Sequence, residues 1–181
     1  MANFAAFGLS NILNVHYPMF LEAHLQVDAP KRIFSYFLGA IFAAQTLTFA
    51  FLLFRTFWTY RWAPILSLMA VLGACVMVLP LLQGLGAILL IALPIGVSLG
   101  MAYASSIFYS LHGPKLQGLR AGIHEGIVGS GVVLSLAGGW AADLTGDLRW
   151  PFWVGAGTVG LSLLVQFWLA NKSRAGLVHK V

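Results

Sequence analysis

The segment GLRAGIHEGIVGSG, residues 118–131, carries the side chains of this sequence with the widest chemical reach: His124, Glu125 and, one turn on, Ser130. His-Glu opens the H-E-x-x-H zinc-hydrolase signature, which works because two histidines one helical turn apart reach one metal. Here the second histidine position is Val128, and no cluster of Asp, Glu, His or Cys elsewhere replaces it, so neither metal nor cofactor is expected. Ser130 sits in Gly-Ser-Gly, but Val128 also breaks G-x-S-x-G, and the apolar run 151–170 offers no histidine to activate a serine. No enzymatic activity is expected. What is left is charge chemistry. A carboxylate near a helix N-terminus is favoured by the helix dipole, and histidine is the side chain that changes charge between pH 5 and 8. His124 and Glu125 are therefore gating or proton-coupling candidates, although neighbours on a helix point about 100° apart and need not serve one site.

A second set of polar residues lies inside apolar runs. Asn11 and Asn14 are three apart, with Pro18 a turn later. Ser98, Ser105, Ser106 and Tyr109 fall at i, i+7, i+8 and i+11, one helical face, with Pro94 nearby. In hydrocarbon such groups must face protein or water. Asn11, Asn14, Ser98, Ser105 and Tyr109 are the substrate-binding candidates, interhelical hydrogen bonding being the competing explanation. Gly118, Gly122, Gly126 and Ser130 recur every four residues. Such a stripe lets two helix backbones approach closely where no hydrophobic force acts between them. Gly96 with Gly100, and Ala156 with Gly160, are shorter stripes of the same kind. The lone Cys75 is a small buried apolar residue.

These residues need a scaffold, and composition names the solvent it lives in. Of 181 residues, 60% are hydrophobic and 8% charged, against about a quarter charged in an ordinary soluble domain. The net charge of +5 would suggest nucleic acid in a soluble protein. Here the bases sit between apolar runs, so a lipid bilayer is the expected partner and nucleic acid is not. Spans of about 20 residues fit Phe4–Leu21, Ile33–Phe54, Ala63–Leu82, Gly86–Leu111, Ile123–Ala142 and Pro151–Ala170, numbered here as spans 1 to 6. The start of the chain lacks a basic region before its apolar stretch and reads as a span rather than a cleaved signal. The runs show no alternation of the kind a barrel needs, and in lipid the other option is helix.

The separators are polar, basic or broken by proline. Arg55, Arg61, Lys115, Arg120, Lys172, Arg174 and Lys180 fall on one side, and Lys31, Arg32 and Arg149 on the other. The excess predicts both termini in the cytoplasm of a bacterial-type inner or plasma membrane.

The stretch GLRAGIHEGIVGSGVVLSLAGGWAADLTGDLRWPFWVGAG resembles the eleventh and twelfth helices of the major facilitator superfamily. The match is a basic residue before a glycine-rich helix, G-x-G, a Gly-Gly pair with small residues and an acid, a short turn, a base, and an aromatic-rich last helix. It is specific over about 115–170 and extends over the whole chain as layout. The resemblance implies an all-α membrane protein, a single domain over 1–181, with six transmembrane helices as two inverted three-helix repeats, about 1–82 and 86–171, half of the family's fold. It implies that spans 1 and 4 line a solute cavity, that spans 2 and 5 meet the other half, and that spans 3 and 6 support the outside. The loop FRTFWTYRWAP lacks the acidic and basic pattern that the family often shows there. A complete member has twelve spans, so the expected function is transport of a small solute by alternating access, with protons as a possible second cargo. A second six-helix half, a homodimer mate or a separate chain, would complete it. The alternatives are an inactive fragment of a longer transporter and a non-transporting assembly protein on the same scaffold.

Overall fold

The computed structural model describes residues 2–24, 29–111 and 117–178. Of the bases that set the expected orientation, Lys115 and Lys180 lie outside these residues. Helices α1 (Ala2–His24), α2 (Pro30–Leu53), α3 (Trp62–Val78), α4 (Leu85–Leu111), α5 (Gln117–Ser130), α6 (Val132–Thr145) and α7 (Trp150–Val178) follow in order, with a single 3-10 turn, Leu79–Leu81, extending α3. Helices α5 and α6 follow one another as a single rod that tightens by one 3-10-like turn at Gly131, whose angles stay right-handed helical (φ −58°, ψ −23°), and α5 begins earlier than the expected span 5.

Among the described residues five stretches are long and apolar enough to cross a membrane: Pro30–Leu53, Trp62–Leu81, Leu85–Ser110, Ala121–Thr145 and Trp150–Leu169. With this composition, they make the chain a multi-pass integral membrane protein. Six spans were expected, and the difference is α1. Its 23 residues would extend about 34 Å, yet Asn11, Asn14 and His16 dilute its apolarity. Its position accounts for them. Helix α1 packs against every other α-helix of the bundle, so its polar groups meet protein rather than acyl chains. The outside of the bundle is the reverse: Leu47, Leu53, Leu90, Leu136, Trp140 and Leu164 are all exposed. In water a surface of this kind would be an aggregation liability; in lipid it is the solvated face.

Local chemistry sets the helix limits. Pro30 opens α2 and Pro151 lies in the first turn of α7, where a missing N–H costs nothing. Gly146, at φ 71°, ends α6 in the left-handed region and returns its N–H to the carbonyl of Ala142 at 2.8 Å. Asp147 then accepts the N–H of Arg149 through Oδ1 at 2.9 Å, a side-chain turn that leads into α7.

The core runs along α1. Ala5, Leu9, Ile12, Leu13, Tyr17, Phe20 and Leu21 are buried there, and toward the His24 end aromatic rings take over. Tyr17 lies 4.5 Å from Phe37 and 6.0 Å from Phe152, centroid to centroid. A smaller cluster of Leu52, Trp58, Ile65 and Met101 joins α2, α3 and α4 around their shared connector. Trp58 pins that connector by donating Nε1–H to the carbonyl of Arg55 at 2.7 Å.

The Gly96 and Gly100 stripe is the seam between α4 and α2. A Cβ at Gly96 would overlap the Ile41 carbonyl oxygen and come within 2.8 Å of the Ala44 Cβ, and one at Gly100 would lie 3.0 Å from the Thr48 Cβ. Gly96→Leu is expected to destabilise the bundle by about 2 kcal/mol, since the obstruction is helix backbone that cannot rotate away. Unfolding in mixed micelles, compared with Gly39→Leu where the space is open, measures it.

Candidate functional site

Polar groups come together where α1, α2, α4 and α5 meet. Ala6, Phe7 and Ser10 of α1, Gln45 of α2, and Leu99, Ala102 and Tyr103 of α4 line a cleft of about 30 Å³. That volume suits one water molecule. The oxygens and nitrogens of Ser10, Gln45 and Tyr103 make no side-chain hydrogen bond among the described residues, so their donor and acceptor capacity points to whatever enters the cleft. Aromatic rings frame it: Phe7 meets Tyr103 edge to face at 5.6 Å, and Phe49 lies 5.7 Å from Tyr103.

Beside the cleft stands a buried pair. The Oγ of Ser106 lies 2.6 Å from Nδ1 of His124, joining α4 to α5. The Phe7 ring packs edge-on against the same imidazole at 6.4 Å. Nε2 of His124 is 3.9 Å from Oε1 of Glu125, whose side chain is 76% exposed. The histidine is buried and the carboxylate exposed, yet their nearest polar atoms stay within ion-pair reach. A hydroxyl at this distance from an imidazole is also the start of a nucleophile and base pair. The backbone N–H groups around Ser106 are committed to helix α4, which leaves no oxyanion donors of the kind acyl transfer needs.

Beyond Gly131 a second histidine ties α1 to α6. Nε2 of His16 lies 2.9 Å from the Ser135 carbonyl oxygen and 3.1 Å from its Oγ. A carbonyl only accepts, so Nε2 carries the proton and donates. Gly139 leaves room for this ring, since a Cβ there would sit 3.1 Å from His16 Cε1. Gly131 itself lies on the backbone of Gly8, where an added Cβ would come 2.9 Å from the Gly8 nitrogen.

The substrate-binding candidates do not converge on one cavity. Asn11 turns its amide back to the Phe7 carbonyl at 3.0 Å, and Asn14 is exposed. Ser98 is buried, and its Oγ has no hydrogen-bond partner among the described residues. Ser105 is buried and donates to the Ala102 carbonyl at 3.0 Å within its own helix. Tyr109 is half-exposed among Tyr60 and Phe108 beyond the end of the cleft. His124 does not line the cleft but packs behind it against Phe7, and Glu125 is exposed. A Cβ added at Gly118, Gly122 or Gly126 would meet nothing within 4 Å. Ser130 is exposed and donates to the Ile127 carbonyl at 2.8 Å. That face of α5 is open within the chain. Gly160 of the third stripe is open too; α3 and α7 close instead through Gly73, where a Cβ would lie 3.0 Å from Val159.

Ser10, Gln45 and Tyr103 escape a reading of single helices. Each is one polar residue in a run, and only the packing of α1, α2 and α4 gathers them. Three larger grooves, of about 490, 360 and 610 Å³, lie between α2, α3 and α4, between α3 and α7, and between α2 and α4. Their walls are almost wholly apolar side chains such as Leu47, Leu93 and Met77, surfaces suited to acyl chains. No family model, no curated protein and no solved structure matches this chain, and its standing rests on its own physics: an all-helical, multi-pass integral membrane protein with five candidate spans.

Proposed function

We propose that this chain is one half of an alternating-access transporter of the major facilitator type, completed by a second copy or a separate six-helix chain and moving a small uncharged or amphipathic solute. One observation carries the reading, the pattern of helix pairings. With α5 and α6 counted as span 5 and α7 as span 6, an inverted repeat exchanges spans 1 and 4, 2 and 5, and 3 and 6. The packing of α2 on α4 then has its mirror in α1 on α5 and α6. That of α3 on α4 mirrors α1 on α7, and that of α1 on α2 mirrors α4 on α5. The contacts of α1 with α4 and of α3 with α7 map onto themselves. Two pairings depart from the pattern, α6 with α7, where Gly138 seats Pro151, and α1 with α3.

The chemistry of the cleft agrees. Ser10, Gln45 and Tyr103 are uncharged, and the rings beside them suit a solute with apolar area and a few hydroxyl or amide groups. The open glycine face of α5 is where a mate would press. A cyclic dimer about an axis along the membrane normal places two copies in one orientation.

The test is reconstitution. In liposomes at low protein density, single-molecule photobleaching is expected to show two copies per particle, and Gly122→Leu with Gly126→Leu to reduce it to one. Uptake of radiolabelled neutral solutes is expected to fall about tenfold or more in Tyr103→Ala. A monomeric protein without solute flux overturns the proposal. The second reading, a non-transporting assembly protein, is favoured by the small volume of the cleft, and dimerisation without flux would support it.

A further inference from the structure

We propose that the groove between α2, α3 and α4 seats an acyl chain of an anionic phospholipid, whose phosphate is held at the α2–α3 connector by Arg55 and Arg61. The site belongs to the single chain and does not depend on the transporter reading.

The groove has a volume of about 490 Å³. Ala43 to Phe51 on α2 and Leu93 to Met101 on α4 give its length, while Phe57 of the connector and Pro64 in the first turn of α3 mark one end. Eight residues of helix rise roughly 12 Å. That is most of one leaflet in a hydrocarbon core about 30 Å thick. Among the described residues Thr48 is the one polar side chain in the wall, and its hydroxyl is taken up by the Ala44 carbonyl at 2.8 Å. The interior therefore offers dispersion contact and nothing to a hydrogen-bonding solute. An acyl chain suits it, because lipid and groove are equally apolar and only the closeness of contact counts.

The connector carries the opposite chemistry. Arg55 and Arg61 are exposed, and in sequence they flank Phe57 and precede Pro64, the residues at the groove's end. From Ala29 to His124 the chain has no Asp or Glu, so the three helices that form the groove supply no carboxylate to either base. The one ion pair among the described residues joins His124 to Glu125. The connector is also held in shape. Trp58 donates Nε1–H to the Arg55 carbonyl at 2.7 Å and meets Phe108 edge to face at 5.1 Å. The Thr59 hydroxyl donates to the Thr56 carbonyl at 2.6 Å. Tyr60, at φ 58°, turns the chain in the left-handed region and packs on Phe108 at 5.5 Å. Two guanidinium groups are thus presented from a fixed turn at the end of an apolar groove. A guanidinium binds phosphate through paired hydrogen bonds, and basic pockets between membrane helices take the headgroups of anionic lipids. A zwitterionic headgroup brings its own cation to the same bases and is disfavoured.

The experiment uses the full chain in detergent micelles, with phosphatidylglycerol and phosphatidylcholine of identical acyl chains as probes and native mass spectrometry counting the lipid retained. The wild type is expected to bind phosphatidylglycerol about tenfold more tightly. Arg55→Gln with Arg61→Gln should reduce that preference to about twofold or less and leave phosphatidylcholine binding unchanged. Lys31→Gln with Arg32→Gln removes the same charge at the opposite end of α2 and should leave the preference intact. Leu47→Trp, at an exposed position in the groove wall, should lower retention of both lipids severalfold. Ala43→Trp fills the groove at a second point and should do the same. Glycerol 3-phosphate, which offers the phosphate without the chain, should not bind. A wild type without headgroup preference overturns the proposal. So does an equal loss from both pairs of bases, which would mean general surface attraction. Full retention in both tryptophan variants would place the acyl chain elsewhere, and a changed oligomeric state in place of lipid loss would make a second copy of the chain the occupant; either result overturns it as well.

Discussion

Gly131→Leu is expected to destabilise the bundle by about 3 kcal/mol. A Cβ at Gly131 would lie 2.9 Å from the nitrogen of Gly8 and 3.2 Å from the Phe7 carbonyl carbon. Both obstacles are main chain of α1. A crowded side chain can change rotamer, but two helix backbones can only separate. Helix α1 would have to leave the α5 and α6 rod at the point where it is closest. Since α1 contacts every other α-helix, its displacement is felt throughout. Unfolding in mixed micelles, followed by circular dichroism, measures the loss. Gly157→Leu and Gly160→Leu are the matched controls. They have nothing within 4 Å and should change stability by about 0.5 kcal/mol or less. Equal effects at all three positions would mean that leucine is harmful in these helices for reasons other than the seam.

Phe37→Ala is expected to cost about 2–3 kcal/mol. Phe37 is fully buried and lies against Tyr17, which in turn meets Phe152, while Phe20 touches Phe152 from the far side at 5.6 Å. The ring thus ties α2 to α1 and, through Tyr17, to α7. In a water-soluble core the same truncation costs about 3–5 kcal/mol, part of it transfer of apolar surface from water. Lipid is as apolar as the bundle interior, so only the lost dispersion and the cavity count here. Phe54→Ala, at a residue 84% exposed, should be near neutral in the same assay. A cost at Phe54 equal to that at Phe37 would show that aromatic residues matter for lipid anchoring rather than for packing.

The helices were legible from residue order because each rests on a local rule. Pro30 and Pro151 open α2 and α7, and polar connectors separate apolar runs of membrane length. The close approach at Gly131 was not legible, although G-x-G marked the place, because it depends on Gly8 of another helix lying against it. At the site, the inward histidine was visible as a titratable residue in an apolar run, and Ser106 as part of a polar face. Their meeting at 2.6 Å depends on how α5 is rotated against α4, which no local rule sets. Asn11 shows the opposite case. Its polarity marked it for a cavity, yet its amide is captured by the Phe7 carbonyl one turn away, a local competitor that any helix provides.

Composition by itself determined the solvent and hence the class of structure, because a chain so poor in charge finds its place in lipid, where backbone groups must pair within their own segment. Only the tertiary structure decided which face of each helix looks inward. In water the core face is apolar and the outer face polar, so periodicity tells them apart. In a bilayer both are apolar, and Leu9 in the core and Leu136 on the lipid side read alike. The glycine stripes are equivalent as letters too, yet Gly96 sits on the Ile41 backbone while Gly122 faces open space. The difference comes from the rotation of whole helices against one another, fixed by the sum of many small contacts that no short stretch of sequence contains.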